Sequence, residues 1–284
     1  MDPDKDNSSG ALLRGNRRRG GFTLVELLVV VGIIGALAGI LVPTLVGARA
    51  LAESVVCRSN IRLLQQGNQL YARDSDGYYA PAAPYMTPTG GNWNDPRINN
   101  IRWFGQRASW REPFSREGGP LSAYLPRHLV KGCPTFTGSE TGFERGCGGY
   151  GYNSNYVGCY VLYAGGGRYK RGDGDWQGTG NRVDAFPTPH ETVAFTDTAL
   201  LAGGLIEYSF CESPTRPFGG GRPVPSIHFR HLGKANVVWL DGHASPEAMT
   251  FSSDGVSFNP YGGSPRDAGI GWFGPENSRL FDCR

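Results

Sequence analysis

The sequence predicts an α+β protein: a long N-terminal helix, its first half transmembrane, packed under an antiparallel β-sheet outer domain with long Gly/Pro-rich loops. Three observations lead there. From Leu27 to Ala48 the chain runs 22 residues without a charge, and as a helix rising about 1.5 Å per residue this run reaches roughly 33 Å, enough to cross a bilayer core. Beyond Arg49 a helical period continues to Arg73. After about residue 150 the chain breaks into short runs of strand character separated by turn residues.

The helix is expected over residues 22–74, with the membrane part at about 22–48. A core helix of a soluble protein usually keeps a polar stripe, and this run has none. Pro43 lies inside it and should loosen the preceding turn. In the second half, Ala52, Val55, Val56, Ser59, Leu63, Gln66 and Leu70 recur at spacings of three or four and mark the face expected to pack under the outer domain. Glu53, Arg58, Arg62, Gln65 and Gln69 occupy much of the rest. Asp74-Ser75-Asp76-Gly77 should end the helix.

The outer domain, residues 75–284, holds most of the 43 glycines and 20 prolines. Residues 78–150 carry many aromatics but little periodicity beyond a short helix near Leu121 to Leu125. Strands are expected at 156–163, 191–198, 205–210, 226–229 and 235–240. The last of these puts Ala235, Val237 and Trp239 on one face and Asn236, Val238 and Leu240 on the other, so it should be buried on much of both sides.

Charge narrows the function classes. The chain has 28 basic and 25 acidic residues, of which five and three fall within residues 1–21, leaving 23 against 22 in the remainder. A nearly neutral body argues against charge-driven nucleic-acid binding. Arg14 and Arg17 to Arg19 precede the apolar run while Arg49, Arg58 and Arg62 follow more sparsely, which favours an N-in, C-out orientation. An ordinary secretory signal cut near Ala50-Leu51-Ala52 is the competing reading. The run is about twice the usual length for one, and Glu26 at its beginning is costly in lipid unless paired.

Arg19-Gly20-Gly21-Phe22-Thr23-Leu24-Val25-Glu26-Leu27-Leu28-Val29-Val30 resembles the class III leader junction of type IV prepilins and type II secretion pseudopilins. The resemblance implies a leader at residues 1–21, cleavage by a prepilin peptidase between Gly21 and Phe22, and N-methylation of Phe22. It implies an assembly role for Glu26, four residues from the new amine and about one helical turn away, and Pro43 falls where many pilins have a proline. The implied partners are other pilin-like subunits, the peptidase and an inner-membrane assembly platform. The implied location is the inner membrane, then a periplasmic or cell-surface filament. A second set of residues, His231 followed after nine positions by Asp241-Gly242, is similar to the H-X9-DG signature of a planctomycete-type pilin-like family. Cys133-Pro134 and Tyr150-Gly151-Tyr152-Asn153 fit that group too.

The signature reads as a structural hairpin, with Asp241-Gly242 supplying a tight turn. Six cysteines, at 57, 133, 147, 159, 211 and 283, in an exported chain should be partly oxidised. Cys133 and Cys147 are the expected pair, and full pairing would need one bridge from Cys57 on the helix to the outer domain. Asp173 and Asp175 are a weak calcium candidate, and no cofactor is otherwise expected. Two rival functions remain open: a membrane-anchored metalloenzyme built on His228, His231, Asp241 and His243, and a glycan-binding adhesin using exposed Trp and Tyr side chains.

Overall fold

The computed structural model describes residues 21–85, 99–109, 111–126, 132–139, 142–158, 170–172, 175–177, 180–215, 223–253 and 262–283, with backbone alone at 170–172 and 175–177. Contacts divide the chain into two compact units at Gly47/Ala48. Helix α1, Leu24–Asp74, runs unbroken through Pro43. It closes where Asp76 and Gly77 turn to positive φ and the Gly77 N–H donates to the Ala72 carbonyl at 2.9 Å.

The strands are β1 (Ile101–Arg102), β2 (Gly105–Gln106), β3 (Tyr150–Tyr152), β4 (Lys170–Gly172), β5 (Asp175–Gln177), β6 (Val193–Asp197), β7 (Leu200–Leu201), β8 (Leu205–Ile206), β9 (Ile227–His228), β10 (Lys234–Trp239), β11 (Ala244–Ala248) and β12 (Ile270–Gly271). The central sheet is antiparallel with the order β11-β10-β6-β3, and the remaining strands form two-stranded ribbons. Opposed rings help to set its register: Tyr152 pairs with Phe195 across β3 and β6, their rings stacked at 4.5 Å. Trp103 packs its edge against both and donates its indole N–H to the Ser209 carbonyl at 2.8 Å. Between the two tyrosines, Gly151 is required by close approach. A Cβ there would meet Thr198 Cγ2 at 2.4 Å and the Phe210 backbone at 2.7 Å.

The second half of α1 meets this sheet through a different face from the one its apolar period suggests. Its buried residues are Ser54, Cys57, Asn60, Ile61, Leu64, Gln65, Gly67, Asn68 and Ala72, whereas Val55, Val56 and Leu70 are exposed. Buried amides are tolerated because each finds a partner. Asn60 and Asn68 donate to the Tyr150 and Tyr152 hydroxyls, both at 3.1 Å, and Gln65 donates to the Leu240 carbonyl at 2.7 Å. Asn68 also accepts the Ala80 N–H at 3.0 Å.

Other expectations are revised. The short helix near Leu121 is one 3-10 turn, Ser122–Tyr124. Tyr156–Gly158 lies in a turn, and the rest of the strand expected at 156–163 lies outside the described residues. Only Leu205–Ile206 of 205–210 is strand. Strands β1 to β5, β7, β11 and β12 lie outside the expected runs.

Candidate functional site

Two regions carry chemistry. The first is the start of α1. Thr23 and Glu26 form a reciprocal cap: the Glu26 carboxylate accepts the Thr23 N–H and hydroxyl, both at 2.8 Å, and the Thr23 Oγ1 accepts the Glu26 N–H at 3.2 Å. Thr-x-x-Glu is the capping box that satisfies the first free donors of a helix. Glu26 is therefore held at the helix start by its own chain. From here Leu24 through Val46 presents its large apolar side chains outward, and the apolar window of the helix has 0% of its residues buried. This leaves an apolar surface that needs lipid or protein to cover it.

The second region is the hairpin β10–β11. Leu232 and Gly233 both take positive φ, 54° and 78°, and His231 and Lys234 exchange backbone hydrogen bonds at 2.9 and 3.1 Å. Positive φ at both central residues is the two-residue turn that matches strand twist. At the far end, Gly242 has φ 96°, the Gly242 N–H donates to the Trp239 carbonyl at 2.9 Å, and the Trp239 N–H donates to the His243 carbonyl at 3.0 Å.

The chain thus folds back twice between His231 and His243, and the four proposed metal ligands of the enzyme reading do not converge. His231 is buried and faces Asp197 on β6 at 3.2 Å. Asp241 is exposed at the hairpin tip and pairs with His243 at 2.7 Å, while the His243 ring stacks on Trp239. His228 touches Arg230 at 3.3 Å, and burial together with that guanidinium pushes its pKa down to about 3.

What does converge is a set that the sequence did not reveal. Asp197, fully buried, accepts from Arg230 at 2.7 Å, from His231 at 3.2 Å and from the Asn236 N–H at 2.7 Å. Burial works against its charge, but Arg230, His231 and the Asn236 amide prevail and hold its pKa below the usual carboxylate range. Burial likewise opposes the His231 charge, and Asp197 with Cys133 outweighs it, raising the pKa to about 9. Ligand atoms of Cys57, Cys133, Asp197 and His231 lie within 4.8 Å of one another. Arg230 already sits among them, its Nε–H 3.2 Å from the Cys133 sulfur.

The Cys133–Cys147 pairing is corrected accordingly. Both are free thiols. The Cys133 N–H donates to the Gly148 carbonyl at 2.9 Å, so the loop does return, but the two sulfurs have different neighbours. The Cys147 sulfur lies 4.0 Å from Glu207, and the Cys133 sulfur lies 2.6 Å from Cys57. Cys159, Asp173 and the side chain of Asp175 lie outside the described residues. Of the Trp and Tyr side chains that a glycan surface would use, Tyr79 and Trp103 are core; Trp93 and Trp110 lie outside the described residues.

Comparison with known proteins agrees with the first region. The family described as the Prokaryotic N-terminal methylation motif matches residues 16–42. Type II secretion system core protein G of Escherichia coli is 32% identical over 90 residues, 29% of this chain and 62% of the relative. Type IV wide pilus major component PilA4 of Thermus thermophilus is 37% identical over 71 residues, 25% of this chain and 54% of the relative. Type IV major pilin protein PilA of Myxococcus xanthus is 35% identical over 65 residues, 23% of this chain and 30% of the relative. The chain thus spans between 30% and 62% of the length of these relatives. No solved structure matches. By its N-terminal segment the chain is similar to type IV pilins and type II secretion core proteins.

Proposed function

We propose that this chain is a structural pilin-like subunit, cut by a prepilin peptidase between Gly21 and Phe22, N-methylated on Phe22, and assembled through α1 into a type IV-like pilus or secretion pseudopilus. The observation that carries the reading is the methylation motif at residues 16–42 running directly into an apolar helix with no buried residue in its apolar window. The subunit stands N-in and C-out in the inner membrane before an assembly platform moves it into a filament of pilin-like subunits. It needs no catalysis of its own.

The cap at Thr23 and Glu26 gives the reading a physical step. In a free subunit the carboxylate is satisfied by its own chain. On assembly, the cationic amine of a neighbour's Phe22 replaces those neutral donors, and opposite charges in lipid neutralise each other. The exposed Val55, Val56 and Leu70 offer a further apolar contact surface on the second half of α1. Mass spectrometry of the N-terminal peptide tests the reading: a mature start at N-methylated Phe22 is expected, and a start at Glu53 would show an ordinary signal peptide instead.

A further inference from the structure

Cys57 on α1 and Cys133 on the loop leading to β3 are 76 positions apart, and both are buried with their sulfurs 2.6 Å from each other. We propose that this pair is a cross-linking site: a disulfide that ties the helix to the body of the outer domain, formed by exchange with an oxidant of the dithiol–disulfide class. The presence of such an oxidant rests on the export reading above; the geometry does not.

Three observations favour the cross-link over a metal. Bonded sulfurs lie about 2.05 Å apart. Two thiolates sharing a tetrahedral zinc, each about 2.3 Å from it, stand roughly 3.8 Å apart, so the observed pair is closer to bonding than to bridging. Second, the Arg230 Nε–H points at the Cys133 sulfur from 3.2 Å, and Arg230 also holds Asp197 at 2.7 Å and the Gly149 carbonyl at 2.6 Å. A fixed guanidinium in contact with two of the four ligands repels a divalent cation. Third, Asp197 already has three donors, so its charge asks for no metal.

The same groups divide the labour of the exchange. The Cys57 S–H, Arg230 and His231, whose Nε2 lies 3.6 Å away, all favour a thiolate on Cys133, whereas Cys57 is fully buried and keeps its proton. The Cys133 thiolate attacks one sulfur of the oxidant's disulfide, breaking that bond and leaving the oxidant's other sulfur as a thiolate. Cys57 loses its proton to that thiolate and attacks the Cys133 sulfur of the mixed disulfide, displacing the second oxidant thiolate, which takes up a proton from solvent. Two protein thiols are oxidised and one oxidant disulfide is reduced to a dithiol. Asp197 keeps Arg230 and His231 as partners afterwards.

Trypsin separates the relevant residues, placing Cys57 in Ala50–Arg58, Cys133 in Gly132–Arg145 and Cys147 in a later peptide. Full-length protein is alkylated before lysis, digested without reductant and analysed by mass spectrometry. Most of the Cys57 peptide should be joined to the Cys133 peptide and released by dithiothreitol, and Cys57→Ser should leave Cys133 alkylated. The N terminus in the same digest reports export separately. A mature Phe22 with both thiols alkylated, or with Cys133 joined to Cys147, overturns the cross-link alone. An uncut chain is treated with oxidised glutathione in detergent: formation of the Cys57–Cys133 link supports the site, and failure to form it overturns the site. One equivalent of zinc bound with both thiols free overturns it in favour of a metal.

Discussion

Removing the negative charge of Asp197 should unfold the outer domain more readily than any change at the hairpin tip. The carboxylate is fully buried, and both oxygens are committed: one to Arg230 at 2.7 Å, the other to His231 at 3.2 Å and the Asn236 N–H at 2.7 Å. In Asp197→Asn the amide has one acceptor oxygen, so its NH2 must face a donor, and Arg230 remains buried without its counter-charge. Breaking a buried pair by removing one partner costs about 3–5 kcal/mol. A domain of this size shifts its Tm by about 2–4 °C per kcal/mol, so the expected drop is about 6–20 °C. Asp241→Asn is the comparison. Its partner His243 and the carboxylate are both solvent-accessible, and an exposed pair contributes within about 1 kcal/mol, hence less than about 4 °C. Thermal unfolding of full-length protein in detergent, followed by near-UV circular dichroism at pH 7, measures both. A drop for Asp197→Asn no larger than that for Asp241→Asn would refute the argument that the buried end of the hairpin carries its stability.

Three further outcomes are expected. Glu26→Gln keeps a capping side chain while losing the charge, and Glu26→Ala loses both; each leaves the neighbour's Phe22 amine without its counter-charge, and since an unpaired charge in lipid costs about 2.5–3.5 kcal/mol, both should lower the sheared-filament fraction by about 100-fold without blocking insertion. Normal filaments from Glu26→Gln would confine the residue to starting the helix. Val55→Lys, at a position 61% exposed, should leave the subunit's Tm within about 1 °C yet reduce filament yield, and unchanged yield would remove the stripe from the assembly surface. With Cys133 held in a disulfide, Asp197 at 3.2 Å still raises the His231 pKa above its usual value, so its stabilisation is complete below about pH 6.5 and lost as pH rises through the raised pKa. Denaturant titrations should show stability falling from pH 7 to 9, with a shallower fall in His231→Gln; a rise in the wild type would contradict the sign.

The hairpin shows which parts of a β-domain are legible. β10 was readable because Ala235 to Leu240, apart from Asn236, is apolar on both alternating faces, as in a strand buried on both sides. Its partner β11, Ala-Ser-Pro-Glu-Ala, has no such pattern: it is a half-exposed edge strand, where Pro246 is tolerated because the open side needs no N–H. β3 is three residues long, too short to alternate, and its strand pairing comes from long-range contacts: the ladder with β6 and the stack of Phe195 on Tyr152. The Asp197 cluster was invisible for a related reason. It joins a helix cysteine, a loop cysteine, a strand aspartate and two residues of a tight turn, and no local spacing brings those together.

The helix was legible in extent and misread in orientation, and both follow from the same chemistry. Length and the apolar run depend only on composition along the chain, so α1 could be placed almost to the residue. Choosing its inner face by hydrophobic period assumes that burial follows apolarity. In the second half of α1 that assumption inverts: Asn60, Gln65 and Asn68 are buried because Tyr150, Tyr152 and Leu240 accept their N–H donors. An unpartnered buried amide costs about 1–3 kcal/mol, so this face tolerates one register on the sheet and penalises the others, where a greasy face would permit sliding. Directional donors fix the helix on its own domain. The valines and leucines left outside then remain available for contacts that a single subunit cannot make.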